Sequence, residues 1–249
     1  MRALPAVMYR EARIRATNVL FIFWDAVYPL GYLLVFGVGL DSAVQFGSGA
    51  AADYNAFFLA GVLGMASFGI ASNTAWSFFL DRDNGIYFEM LTYPISRAEY
   101  LVGKVLFNLV VALVQAAITV GLAWLLLDVA VRWEMMPLVA LLVVLGTSGW
   151  FFFYAIFAVL IRRNDAFNTV TSVFYFALLF ASSMFYPLDP LPDSLRAAAW
   201  ANPITWQVEA MRWATTGIGD GALVPLEIAG FTAFTAVSFA GALAALRKD

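Results

Sequence analysis

The chain contains no cysteine and no histidine. Together these absences exclude disulfides, thiol catalysis and the commonest ligands of transition metals, so zinc proteases and thiol enzymes as ordinarily built are ruled out. Charge is scarce as well. Asp, Glu, Lys and Arg make up 12% of the 249 residues, where a soluble domain carries about a quarter. No low-complexity linker or internal repeat divides the chain, and residues 1–18 lack the apolar core of a cleavable signal. What fills the sequence is apolar: 63% of residues are hydrophobic, 16% are aromatic, and the mean hydropathy is +0.82. A soluble helical core of this composition would still need polar faces on its helices, and the long apolar runs have none. The chain reads as an all-α integral membrane protein with one membrane domain over residues 1–249.

A helix needs about 20 residues to cross a bilayer. Six runs meet that length: 20–40, 57–80, 101–127, 136–161, 167–187 and 223–246. The charges inside them are Asp25, Lys104 and Glu227, each near an end of its run. Lys104 has a stem long enough to snorkel to the interface, whereas a short Asp does not. Eleven Lys and Arg fall in alternate segments: Arg2, Arg10, Arg13 and Arg15; Arg82, Arg97 and Lys104; Arg162 and Arg163; Arg247 and Lys248. The other side receives three, Arg132, Arg196 and Arg212. The positive-inside rule therefore places both termini in the cytoplasm, with residues 1–19 as a cytoplasmic interface segment. Its arginines are interleaved with Glu11 and form no polybasic tract, so a nucleic-acid partner is not indicated.

Two connections differ from simple turns. In the cytoplasmic loop 81–100, Asp83 or Asn84 suits the N-cap of a short helix, followed by Ile86, Tyr87, Phe88, Glu89, Met90 and Leu91 before Pro94. Ile86 with Met90, and Tyr87 with Leu91, stand four apart and make an apolar face. A lipid-binding interfacial helix favours Lys and Arg on its polar face; Asp83 and Glu89 stand there instead, which favours docking to a protein. Ser96 and Glu99 form a capping box that starts the third apolar helix near Arg97, and Asn164 or Asp165 suits the cap of the fifth. On the external side, segment 188–221 holds two short helices. One opens at Pro192-Asp193 and runs through Trp200; the other has Asn202 as N-cap, Pro203 in its first turn and Gly217 as its stop. Trp200, Trp206, Met211 and Trp213 suggest a hairpin dipping into the outer leaflet, in which Glu209 and Arg212 pair at i,i+3. The plain alternative is an interfacial aromatic belt.

Asn73, Asn108, Gln115, Thr169 and Ser172 are polar residues inside apolar runs. They are candidates to line a translocation path, although each also suits an interhelical hydrogen bond. Gly61, Gly64, Gly146 and Gly149 read as sites of close helix packing. Gly103-Lys104 is not a phosphate-binding loop, because Ala98 and Val105 stand where that motif needs Gly and Ser or Thr. Any ATP hydrolysis must sit on another chain.

In this order and spacing the residues resemble the type-2 membrane permeases of ATP-binding-cassette (ABC) exporters. The resemblance is carried by 28–37, by 54–64, and by Phe88-Glu89-Met90-Leu91 with Tyr93-Pro94, Ser96-Arg97, Glu99 and Gly103-Lys104. It continues through Phe185-Tyr186-Pro187-Leu188, Leu191-Pro192 and Asn202-Pro203-Ile204-Thr205; Gly85-Ile86 departs from the family's usual Gly-Thr. It implies a half-transporter in a cell inner or plasma membrane, with a second permease copy as a homodimer and two ABC nucleotide-binding ATPase subunits. In the family, the loop carrying Ile86 to Leu91 docks on the ATPase beside the N-terminal segment. A re-entrant hairpin, here with Trp200, Asn202, Pro203, Trp206, Glu209 and Arg212, closes the outer end. ATP and Mg would bind the partner, leaving this chain without a cofactor, a metal or a catalytic site of its own. The implied function is ATP-driven export of an amphipathic or lipid-linked substrate. The alternative is an ion-gradient-driven secondary transporter, for which the chain lacks inverted repeats and central acidic residues. A membrane-embedded enzyme built on Asp25 and Glu227 is a third class.

Overall fold

The computed structural model describes residues 3–17, 23, 24, 27, 29, 31–35 and 54–247. Among these, every regular element is helical. They are α1 (Ala3–Thr17), α2 (Tyr54–Asp83), α3 (Ile86–Met90), α4 (Arg97–Leu126), a 3-10 turn (Trp133–Met135) and α5 (Met136–Leu160). The chain continues through α6 (Asn164–Phe180), α7 (Asp193–Trp200), α8 (Pro203–Thr216) and α9 (Val224–Arg247). Four of these helices, α2, α4, α5 with its 3-10 lead-in, and α9, are long and apolar enough to cross a membrane. Of the expected first run, residues 31–35 are helical and most of the rest, Asp25 included, lies outside the described residues.

α2 is the central post. Of its most apolar window, 83% is buried inside the protein, against 17% for α9, which lies at the rim. α2 packs on α4, α5 and α8, and α5 packs on α9. Helices in lipid gain little from hydrophobic association, so close backbone approach carries much of the packing. The glycines read as packing sites serve this purpose. Gly61 faces the backbone carbonyl of Met184, Gly64 faces Val208, Gly146 faces the Gln207 amide and Gly149 faces Thr235 and Phe231. Trp150 fills the centre, edge-on to Phe68 with centroids 4.6 Å apart.

Three local expectations need correction. The expected fifth run, 167–187, is occupied by α6, which ends at Phe180 after 17 residues, about 25 Å of helix. The cause is tertiary: the Asn202 side-chain amide donates to the carbonyls of Leu178 (2.6 Å) and Ala181 (3.0 Å), satisfying the helix end early. Neither Asp83 nor Asn84 caps α3. α2 runs on through Asp83, and the chain reverses at Gly85, whose φ of 77° is the left-handed conformation that glycine adopts without strain. Neither Asn164 nor Asp165 caps α6; Arg163 holds the cap position without a side-chain bond and pairs with Asp165 at 2.6 Å.

α1, the α3 loop and the end of α5 share one end of the bundle. There the Arg82 guanidinium donates to the carbonyls of Ala158 and Val159, closing the C-terminus of α5. At the opposite end, the Arg132 amide donates to the Thr215 carbonyl at 2.8 Å, and its guanidinium lies 4.6 Å from the Trp213 ring centroid.

A side chain at Gly61 would drive into the Met184 backbone, whereas Gly121 has nothing within 4 Å. Gly61→Ala should therefore lower the thermal unfolding midpoint in detergent, for an overpacking cost of about 1–3 kcal/mol. Gly121→Ala should leave the midpoint unchanged or slightly higher.

Candidate functional site

The densest polar structure is an ion cluster joining α1, α2 and α4. Lys104 is 0% exposed, and its ammonium donates to Glu11 (2.8 Å), Asp81 (2.6 Å) and Ser77 (3.0 Å). Asp81 also accepts from the Tyr100 hydroxyl at 2.6 Å and from the Arg10 guanidinium at 3.1 Å. Burial works against the Arg10 charge, yet the hydrogen bond and charge of Asp81 outweigh it and hold its pKa above the ordinary arginine value. Lys104 does not snorkel: two carboxylates reach its ammonium inside the protein, which removes the drive toward water. Gly103 makes the arrangement possible, because a Cβ there would stand 2.9 Å from the Val7 Cβ and push α1 away.

The cluster continues into the α3 loop. Tyr100 packs edge-on to Tyr87 with centroids 5.1 Å apart, and Tyr87 also meets Phe78 at 5.6 Å. Of the six residues expected to dock a partner, Tyr87 is 1% exposed and turned inward, while Ile86, Met90 and Leu91 are half-buried. Phe88 and Glu89 face outward, together with Tyr93 beyond the helix. Sequence reading missed Glu11, Asp81 and Tyr100; the signal available was a charged residue at each end of two runs that the loop brings together.

The candidate path residues divide into two groups. Asn73 and Gln115 line a cavity of about 360 Å³ on α2, and Asn73 and Asn108 line a second of about 260 Å³ nearer α1. Asn108 accepts from Arg15 at 2.6 Å and donates to the Lys104 carbonyl at 3.0 Å. Thr169 and Ser172 lie outside both cavities on the exposed face of α6, where the Thr169 hydroxyl donates to the Asp165 carbonyl at 2.9 Å.

The expected caps and ion pair of segment 188–221 are present. Asn202 accepts from the Ile204 amide at 3.0 Å, Pro203 follows it, and Gly217 ends α8 at φ 77°. Arg212 pairs with Glu209, as their spacing suggested. Arg212 is 1% exposed; it donates to the carbonyls of Phe57 (3.2 Å) and Ser183 (2.7 Å) and lies 3.8 Å over the Phe57 ring. Gln207 is equally buried and accepts from the Trp150 indole at 3.0 Å. Trp206 donates to the Trp200 carbonyl at 2.7 Å, joining α8 to α7. α8 is thus pinned inside the bundle, against α2, α5 and α9.

Comparison with known proteins bears on this arrangement directly: residues 2–215 match the family described as ABC-2 type transporter. The chain belongs to the ABC-2 type transporter family. It is accordingly a multi-pass membrane protein. It is 27% identical over 191 residues to a Cyanophora paradoxa protein named as a transport permease, ycf38, covering 74% of this chain and 64% of that one. It is 31% identical over 170 residues to the linearmycin resistance permease protein LnrN of Bacillus subtilis (strain 168), covering 67% and 43%. The ycf38 protein of Pyropia yezoensis is 23% identical over 188 residues, 75% of this chain and 65% of that one. The matched stretches thus span less than two thirds of these curated relatives.

Removing one member of a buried ion network leaves its partners uncompensated, at a cost of about 3–5 kcal/mol. Lys104→Met should therefore lower the thermal midpoint by several degrees. Adding Asp81→Asn, which restores the charge balance, should recover at least half of that loss in the same assay.

Proposed function

We propose that this chain is the membrane permease subunit of an ATP-driven exporter, providing the path for an amphipathic or lipid-linked substrate and coupling to a separate ATPase. The observation that carries the reading is the α3 loop. It presents Phe88, Glu89 and Tyr93 outward, while its inner side is bound through Tyr87 and Tyr100 to an ion cluster spanning three helices. A surface of two aromatic rings around a carboxylate suits a protein partner better than anionic lipid. Because the loop is bound inward to α1, α2 and α4, a push on Phe88 reaches all three. Family membership supports the same assignment, and the resistance permease among the relatives is in keeping with export.

In this reading residues 1–249 form one domain of six spans with both ends in the cytoplasm. Segment 1–19 lies at the inner interface, 81–100 is the coupling loop, and 188–221 is a re-entrant hairpin closing the outer end. α8 fits that role because it is buried within the bundle, with its start bonded to the end of α6 and its last turn bonded to Arg132 ahead of α5. Two copies of the chain meet as a homodimer over two ATPase subunits in the inner or plasma membrane, and ATP with Mg binds those subunits. The exposed polar residues Asn168, Thr169 and Ser172 on α6 suit a face shared with the second copy, since hydrocarbon disfavours them.

The pair Phe88→Ala and Glu89→Arg tests the assignment. Co-purification with the ATPase partner is expected to fall at least tenfold while the thermal midpoint stays within a degree of wild type. Tyr87→Ala should instead lower the midpoint, because that ring is packed inside. Undiminished co-purification of the outward-facing double variant would sink the docking assignment.

A further inference from the structure

Glu227 stands in the first turn of α9, where an acid ordinarily faces water and complements the helix dipole. Here it is 6% exposed, and its Oε2 is buried and accepts no hydrogen bond among the described residues. Gly230, three residues on and so on the same face, lies against α8: a Cβ there would stand 3.3 Å from the Trp206 ring. Glu227 is thus enclosed where α9 begins to pack on α8.

The charges that reach it are Glu209 and Arg212 on α8 and Asp220 on the connection to α9. The one cation among them is engaged elsewhere. Arg212 pairs with Glu209 and donates its other nitrogens to the carbonyls of Phe57 and Ser183. Asp220 is exposed and accepts from the Ala222 amide at 2.9 Å. The other helices packed on α9 bring no further charge: α5 contains none, and those of α4 (Arg97, Glu99 and Lys104) lie at the end beside α1. Arg132, ahead of α5, is bound to the Trp213 carbonyl and to Glu134. Three carboxyl groups therefore share one guanidinium, and the buried Oε2 of Glu227 is left without a donor.

A carboxylate shut away from water and from donors is costly, and like charges beside it add to the cost. A proton removes the charge and needs no space. No group of acidic residues placed to hold a metal ion occurs among the described residues. We propose that the Glu227 carboxyl is a proton-binding site that latches the start of α9 to α8. With the proton bound, the two helices stay packed; its loss to an alkaline medium sets a bare carboxylate against Glu209 and frees the first turns of α9. This goes beyond the export reading and rests on it only for the side of the membrane that supplies the proton.

The test uses the full chain in nanodiscs without ATP or ATPase, in mildly acidic and mildly alkaline buffer. The thermal midpoint of the wild type should fall by roughly 3 °C in the alkaline buffer. Glu227→Gln, which copies the neutral carboxyl, should keep the acidic midpoint in both buffers, while Glu227→Asp, which keeps the acid, should retain the alkaline fall. Amides of residues 224–231 should exchange about tenfold faster in the wild type than in Glu227→Gln in the alkaline buffer, and at equal rates in the acidic one. The infrared band of a protonated carboxyl, present in the acidic wild type, should be missing from Glu227→Gln. An undiminished band in that variant, an alkaline fall equal to that of the wild type, or an acidic midpoint below that of the wild type would each overturn the site. Because no ATPase is present, these outcomes leave the docking assignment untouched, and loss of docking would leave the proton site standing.

Discussion

The Lys104 ammonium, enclosed by Glu11, Asp81 and Ser77, is the interaction on which the end of the bundle holding α1 and the α3 loop depends. A lone charge at that depth would be prohibitive, and a single ion pair in a low-dielectric interior gains little over an apolar contact. The network is sustained because every charged member has more than one partner. Asp81 answers Lys104, Arg10 and Tyr100, and Glu11 answers Lys104 and Arg10. Its consequence is geometric. α1 is fastened to α2 and α4 by charge, at a distance that Gly103 permits, and the α3 loop is fastened to the same point by the edge-on rings of Tyr87 and Tyr100. This end therefore forms one block with a small outward face at Phe88, Glu89 and Tyr93.

The opposite end uses a different device for the same purpose. α8 holds its place with neutral and charged hydrogen bonds to backbone carbonyls: Arg212 to Phe57 and Ser183, and Asn202 to Leu178 and Ala181. Glycines at 61, 64 and 146 open the space into which Met184, Val208 and Gln207 fit. Between these blocks, α2 lines two cavities that have Asn73 in common. α2 and α5 touch both blocks and join them.

Much of this was legible because membrane helices announce themselves by length and composition. The capping box at Ser96 and Glu99, the Asn202-Pro203 start and Gly217 stop of α8, and the Glu209–Arg212 pair all depend on residues within one turn of each other, and all are found as expected. Two of the misses share one property. The early end of α6 and the partners of Lys104 are each decided by residues distant in sequence: Asn202 for α6, and Glu11 with Asp81 for Lys104. Local pattern carries no information about such partners.

The sequence by itself determined that this is a helical membrane protein, the positions of its four longest helices to within a few residues, the caps at Ser96 and Asn202 with the stop at Gly217, and the family it joins. These follow from apolar run length, from short-range hydrogen bonding and from ordered motifs. Tertiary structure alone decided that Tyr87 turns inward while Phe88 faces out, that Lys104 is a buried tie, and that Asn73, Asn108 and Gln115 line two cavities beside α2 while Thr169 and Ser172 stand apart. The reason is that a helix offers each polar residue several neighbours at once. Which one it meets is fixed only when the other helices have taken their places.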